Sequence, residues 1–194
     1  KPYFIAEIGS NFDGSLSRAT ELIELAKKSG ADAAKFQHYT AKTLVSDSGF
    51  SNLNLNTHQS KWKESVYTTY DKASLPVSWT HELAKVCKKN EIDFLTSPYS
   101  KSLLDETAPY MPFIKIGSGD ISELDFIDYC SKKNKPILLA TGASSLEDVK
   151  RAVSTINDRV PIVLMQCNTN YENNSSHRSF QNISVISTFK KEFP

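Results

Sequence analysis

The sequence predicts an α/β fold whose strands run parallel. Six short apolar, β-prone stretches each end abruptly in polar or glycine residues, and segments with helical spacing lie between them. This alternation is typical of parallel βα units. Functional groups in such folds gather at the carboxyl ends of the strands. The six stretches are residues 4–11, 33–38, 94–97, 113–120, 137–142 and 162–169.

The individual elements follow from local signals. A strand over 4–9 precedes a helix capped by Ser15 or Ser17, with Leu22, Ile23 and Ala26 on one face. Residues 39–76 are polar and interrupt the rhythm, which predicts a functional loop with some local helix. The remaining predicted strands are 33–38, 94–97, 113–118, 137–141 and 162–167, and the remaining predicted helices are 78–90, 102–107, 122–133, 146–156 and 182–192.

Composition limits the classes of function. The chain has 194 residues, 39% of them hydrophobic, with 23 basic and 22 acidic side chains. We therefore predict one globular domain over residues 1–194, with no broad basic surface for nucleic acid. No apolar stretch approaches the roughly 20 residues of a membrane span. Three widely spaced cysteines favour a reduced, cytoplasmic setting over a disulfide framework or zinc site.

Two architectures are compatible with this pattern, namely an open doubly wound sheet and a (β/α)8 barrel. A barrel typically needs about 250 residues. If the chain is part of a barrel, about six of its eight βα units are present, and the domain is incomplete on its C-terminal side.

Two lysines interrupt apolar strands. Lys35 lies in the second predicted strand and Lys115 in the fourth. Each could extend to the strand end or pair with a carboxylate. Their matching contexts favour a site for a dianion, with Gln37 and Ser118 donating directional hydrogen bonds.

Further polar groups lie near the strand ends, and each could have either a structural or a functional role. Glu7 lies within the first strand and would either form an internal ion pair or handle a proton. Residues 117–120 form either a plain strand-to-helix turn, with Asp120 or Ser122 as the helix N-cap, or an anion-binding nest. Each of three hydroxyls would either cap a helix or turn or contact a ligand, namely those of Thr96, Ser97 and Thr141.

The segment 166–171 has more polar groups than a turn requires, which favours hydrogen bonding to a sugar through Asn168, Thr169 and Tyr171. Cys167 has no activating partner in the sequence, so we predict a packing role for it. No histidine pair has ligand spacing, and we assign no metal site within these residues.

Several strings resemble the sialic acid synthase family, which makes N-acetylneuraminic, legionaminic and pseudaminic acids and includes spore-coat polysaccharide enzymes. The resemblance extends in consistent order from the first residues to Pro194. The strings lie at residues 4–11, 30–37, 96–98, 110–120, 135–137, 140–144 and 166–171.

The resemblance implies a (β/α)8 barrel that condenses phosphoenolpyruvate with an N-acylated hexosamine and releases phosphate. It implies that phosphoenolpyruvate is held at the positions of Lys35, Gln37, Lys115 and Ser118, with a hydroxyl at Thr96 or Ser97. Glu7 and Asp120 would lie by the reacting atoms, and Tyr171 would face the amino sugar. A divalent metal, Mn²⁺ or Mg²⁺, would be held by histidines of a seventh and an eighth strand, outside this chain. The full-length enzyme is expected to form a homodimer.

The chain departs from the family pattern at three positions. Ala140 replaces a phosphate-binding serine of some relatives, so either Thr141 supplies that contact or it is absent. Asp120 replaces a glutamate, and Glu172 replaces a proline beside the sugar.

Two other functions are compatible with the residues. Lys35 or Lys115 could form a Schiff base in an aldolase. The chain could also be a non-catalytic, sugar-binding part of a larger protein.

Overall fold

The computed structural model describes residues 2–52, 59, 62–169 and 180–193. The chain forms two compact units, one within residues 1–112 and the other within residues 113–194. Each unit contains a three-stranded sheet whose paired strands are all parallel. The α/β class and the parallel strands that the sequence predicts are thereby confirmed.

The first unit contains a sheet of order β1-β2-β3. Its elements are β1 (Ile5–Gly9), α1 (Leu16–Lys28), β2 (Ala33–His38), α2 (Ala41–Leu44), α3 (Asp47–Ser51), α4 (Val66–Ala73), α5 (Thr80–Lys89), β3 (Asp93–Pro98) and α6 (Lys101–Thr107). The expected local helix within residues 39–76 is present as α2, α3 and α4.

The second unit contains a sheet of order β4-β5-β6. Its elements are β4 (Ile114–Ile116), α7 (Leu124–Ser131), β5 (Ile137–Ala140), α8 (Leu146–Thr155), β6 (Ile162–Met165) and α9 (Val185–Glu192). All three strands end one or two residues earlier than predicted. Ser118, for example, begins a 3₁₀ turn, Ser118–Asp120, and is not part of β4.

Local chemistry explains the helix boundaries. The Ser15 hydroxyl, not that of Ser17, accepts a hydrogen bond from the Arg18 N–H and caps α1. Ser145 and Asp148 form a reciprocal capping box at the start of α8. Helix α9 begins at Val185, three residues later than predicted, because Asn182 has φ of 45°, which is incompatible with a helix.

Each unit buries apolar side chains of its strands and its helices. Phe36, Leu95 and Ile23 are fully buried in the first unit, and Ile127 and Leu139 in the second. Burial of such side chains is the main source of stability. No helix among the described residues is long and apolar enough to cross a membrane.

Candidate functional site

Lys35 and Glu7 form an ion pair between neighbouring strands of the first unit. Lys35 Nζ lies 2.5 Å from Glu7 Oε2 and donates a second hydrogen bond to Ser97 Oγ at 3.4 Å. The Lys35 side chain is 8% exposed, whereas that of Glu7 is 52% exposed. The ion-pair reading of both residues is therefore confirmed. One side of the pair is open to solvent.

Strand register explains this grouping. Glu7 lies opposite Lys35 across β1 and β2, and Gln37 lies opposite Ser97 across β2 and β3. Side chains two residues apart share a face of a sheet, and paired residues of parallel strands do the same. Glu7, Lys35, Gln37 and Ser97 therefore lie on one face of this sheet.

Thr96 lies on the opposite face. Its hydroxyl is 2.8 Å from Nδ1 of His38, whose Nε2 is 2.9 Å from the Thr80 hydroxyl. All three residues are buried, and this burial lowers the pKa of His38 to about 4. Of the two hydroxyls proposed to contact ligand, the structure thus brings Ser97 to Lys35 and places Thr96 in a buried network with His38.

Lys115 is the corresponding cation of the second unit. It is 9% exposed, and its Nζ donates a hydrogen bond to the Ile116 carbonyl at 2.6 Å. A buried ammonium on the central part of a strand is costly without a compensating charge. Lys35 belongs to the first unit and Lys115 to the second, so the convergence of the two on one dianion stays a prediction.

Asp120 ends the 3₁₀ turn that follows β4. Burial, and to a lesser extent the charge of Glu123, raises the pKa of Asp120. The Lys115 ammonium and a backbone hydrogen bond from Gly117 act in the opposite direction on that pKa. A carboxyl group with a raised pKa near a cation is suited to proton transfer.

Three loops of the second unit meet at Cys167. The Gly142 N–H donates to Cys167 Sγ at 3.1 Å, and Ser118 Oγ lies 3.0 Å from the same sulfur. These residues follow β5, β6 and β4, respectively. The packing role predicted for Cys167 therefore describes only part of its environment. The position of all three just beyond parallel strand ends was the signal in the sequence.

Thr141 is almost fully buried. Its hydroxyl donates to the Met165 carbonyl at 3.2 Å and lies 3.5 Å from Gln166 Oε1, while its N–H also donates to Met165 at 3.0 Å. This hydroxyl therefore links the end of β5 to β6, whereas the cap of the helix that follows is Ser145. A contact to substrate stays a prediction. Ala140 is also buried, at the end of β5.

Asn168 and Thr169 are exposed residues beside two clefts of the second unit. A cleft of about 560 Å³ is lined by Ser118, Ser144 and Thr169 among others. A second cleft, of about 360 Å³, includes Thr141, Asn168 and Thr169 in its walls. Both are large enough for a small polar ligand. Tyr171 lies outside the described residues.

No cluster of three or more His, Cys, Asp or Glu side chains within the described ranges could hold a metal ion. The three cysteines are free thiols. Burial raises the pKa of both Cys87 and Cys130 to about 12.

These features define an α/β protein whose parallel strands carry buried lysines and lead to polar loops, one of which holds a carboxyl group with a raised pKa. Residues 22–194 match the NeuB family, and the chain belongs to that family.

Individual relatives agree with this assignment. The chain is 30% identical over 174 residues to the pseudaminic acid synthase of Helicobacter pylori, a match that covers 88% of this chain and 51% of that protein. It is 35% identical over 179 residues to the N,N'-diacetyllegionaminic acid synthase of Campylobacter jejuni, covering 88% of this chain and 52% of the relative. The chain thus spans about half the length of the curated relatives it matches.

A solved structure has the same fold. The N-acetylneuraminic acid (sialic acid) synthetase of Leptospira borgpetersenii superposes with a TM-score of 0.84 at 23% identity, covering all of this chain and 62% of that protein. The resemblance to the sialic acid synthase family, expected from the sequence strings, is confirmed.

Proposed function

We propose that the full-length protein condenses phosphoenolpyruvate with an N-acylated hexosamine to a nonulosonic acid and releases phosphate. The observation that carries this proposal is membership of the NeuB family, whose curated members at 30% and 35% identity are named pseudaminic and legionaminic acid synthases. The enzyme would be a transferase that forms a carbon–carbon bond. Lys35, Glu7, Lys115 and Asp120 provide suitable groups for it.

The chain would form six βα units of a (β/α)8 barrel. The TM-score of 0.84 to a sialic acid synthetase supports this proposal. Exposed apolar side chains near β1 and within β6 also support it, since Phe4 is 58% exposed and Val163 is 52% exposed. Two further units would cover such side chains and remove the open strand edges.

The reaction begins with attack of the enol carbon of phosphoenolpyruvate on the open-chain aldehyde of the sugar. Positive character develops on the phosphate-bearing carbon, and water adds to that carbon. The tetrahedral intermediate then expels phosphate by cleavage of its carbon–oxygen bond. The aldehyde oxygen gains a proton, and the attacking water loses one.

The residues of this chain would bind the dianion and move protons. Lys35 and Lys115 balance the charge of phosphate and carboxylate, while Gln37, Ser97 and Ser118 orient them. Preorganised charges of this kind can supply several kcal/mol. Asp120 or Glu7 would receive the proton of the attacking water, and the raised pKa of Asp120 suits that role. Asn168, Thr169 and Tyr171 would bind the amino sugar.

A divalent metal, Mn²⁺ or Mg²⁺, would polarise the aldehyde in the full-length enzyme. By the family resemblance, its ligands would be histidines of a seventh and an eighth strand, outside this chain. We also propose a homodimer at full length and a cytoplasmic setting, the latter supported by three free thiols.

The proposal is tested by supplying the full-length protein with phosphoenolpyruvate, Mn²⁺ or Mg²⁺, and a panel of N-acylhexosamines. Phosphate release that depends on one sugar is the expected result. No release with any sugar would contradict the proposal and favour a non-catalytic, sugar-binding role. Borohydride treatment during turnover separates the Schiff-base alternative, since the proposed chemistry forms no covalent adduct with Lys35 or Lys115.

A further inference from the structure

Cys167 contacts two loops of the second unit, one of which carries a proposed ligand of phosphoenolpyruvate. Ser118, beyond β4, is a proposed ligand of phosphoenolpyruvate, and Gly142 lies beyond β5. Cys167 Sγ is 3.0 Å from Ser118 Oγ and 3.1 Å from the Gly142 nitrogen. The thiol is half-buried. It is thus the link between these two loops.

We infer that Cys167 is a positioning residue that turns the Ser118 hydroxyl proton towards the bound anion. This inference rests on the proposed function. It assigns Cys167 to a chain of donors in which the Gly142 N–H donates to the sulfur, the thiol donates to Ser118 Oγ, and the Ser118 hydroxyl donates to phosphoenolpyruvate.

The direction of this chain follows from the hydrogens available. An amide N–H can only donate, so the sulfur is the acceptor for Gly142. The contact between sulfur and Ser118 could run in either direction. An anion beside Ser118 has no proton to donate, so it accepts a hydrogen bond from the Ser118 hydroxyl. The thiol then donates a hydrogen bond to Ser118 Oγ, and successive donors polarise one another.

The backbone around Cys167 fixes the geometry of this chain. A Cβ at Gly142 would lie 2.5 Å from the Ser118 carbonyl oxygen, so the two loops approach as closely as glycine allows. Gly142 also has φ of 58°, which favours glycine. Both the N–H and the hydroxyl of Thr141 bind the Met165 carbonyl, two residues before Cys167. The sulfur therefore meets loops that are already held in place.

The test uses the full-length enzyme and the variants Cys167→Ala, Cys167→Ser, Ser118→Ala and the double alanine variant. We expect C167A to raise the KM for phosphoenolpyruvate roughly tenfold, equivalent to about 1.4 kcal/mol, with little change in the KM for the sugar. C167S, which keeps a donor and an acceptor on a shorter bond, should recover most of this loss. Cys87→Ala, in the other unit, is the matched control and should leave both KM values unchanged.

The double variant separates positioning from a general packing effect. If Cys167 acts through Ser118, adding C167A to S118A should change the KM for phosphoenolpyruvate less than twofold. If the effects of C167A and S118A on this KM multiply, or if C167A has no effect in an active enzyme, the inference is wrong and the proposed function is unaffected. Absence of phosphate release by the unaltered protein would overturn the proposed function and this inference together. Should C167A unfold, Cys167→Val, which fills a similar volume but has no donor, replaces it in the same comparisons, with the same expected results.

Discussion

Lys35 and Glu7 lie opposite each other on neighbouring parallel strands, with Lys35 Nζ 2.5 Å from Glu7 Oε2. The Lys35 side chain is buried, whereas the Glu7 side chain is 52% exposed. An incoming dianion could therefore approach from the open side and share the lysine. The pair holds the cation in place before any ligand binds, which is the preorganisation that binding requires.

Glu7→Gln should destabilise the protein. The substitution leaves a buried ammonium without its carboxylate, which typically costs about 1–3 kcal/mol. Phosphoenolpyruvate should restore part of this loss, so its stabilising effect should be larger in E7Q than in the unaltered protein. Urea unfolding with and without phosphoenolpyruvate measures both effects. Glu21→Gln, at an exposed site of α1, is the control and should change stability by less than about 0.5 kcal/mol. Equal stability of E7Q and the unaltered protein would refute the role of the pair.

Lys115→Met should abolish phosphoenolpyruvate binding and preserve the fold. Methionine retains much of the apolar stem and carries no charge that would be costly to bury. We expect a loss of affinity of at least 100-fold by calorimetry, with an unchanged circular dichroism spectrum. Lys132→Met removes an exposed lysine paired with Asp128 and should not affect binding. Undiminished turnover by K115M would exclude Lys115 from the site.

Stability should decline as the pH falls from about 6.5 to about 4 because of His38. Burial lowers the pKa of His38 from 6.5 to about 4, so within this window the unfolded chain takes up a proton that the folded protein does not. The full contribution is present above pH 6.5, and up to about 3 kcal/mol is lost by pH 4. Urea unfolding across this range should show a shallower decline in His38→Gln. His81→Gln, at an exposed site, should leave the decline of the unfolding free energy with falling pH unchanged. If that free energy falls equally steeply in H38Q and the unaltered protein, His38 is not its cause.

Cys87 and Cys130 should resist alkylation in the folded protein at pH 7. Burial raises the pKa of each thiol to about 12, which leaves on the order of one thiolate in 10⁵ at that pH. Mass spectrometry after iodoacetamide treatment should find modification of these two residues only after unfolding in urea. Rapid labelling of either one in the native protein would show that its site opens readily.

Gly142→Ala should cost more stability than Gly14→Ala. Both glycines have positive φ, so both variants bear backbone strain of about 1 kcal/mol. A Cβ at Gly142 would also lie 2.5 Å from the Ser118 carbonyl oxygen, whereas one at Gly14 meets no atom within 4 Å. We expect G142A to lose an additional 1–3 kcal/mol or so, the usual range for overpacking. Equal losses would mean that the loop moves aside freely.

Local pattern predicted much of the fold. Apolar runs separated by segments with helical spacing predicted six parallel strands. A strand that is buried on both faces needs such a continuous apolar run. A serine cap of α1 was also predicted, and the structure assigns it to Ser15. Boundaries after the strands were less well predicted. The fourth strand, for example, was predicted to extend to Ser118, but this residue begins a turn in which the Asp120 N–H donates to the Gly117 carbonyl.

The sequence by itself determined that lysines and a carboxyl group lie within parallel strands and that hydroxyls lie near their carboxyl ends, because side-chain alternation and chain polarity are local properties. Only the tertiary structure decided that Lys35 pairs with Glu7, that Ser97 and not Thr96 accompanies it, and that Cys167 meets Ser118. Each of these contacts joins different strands or the loops that follow them. Their partners depend on strand register and on the packing of those loops, which neighbouring residues in the chain do not specify.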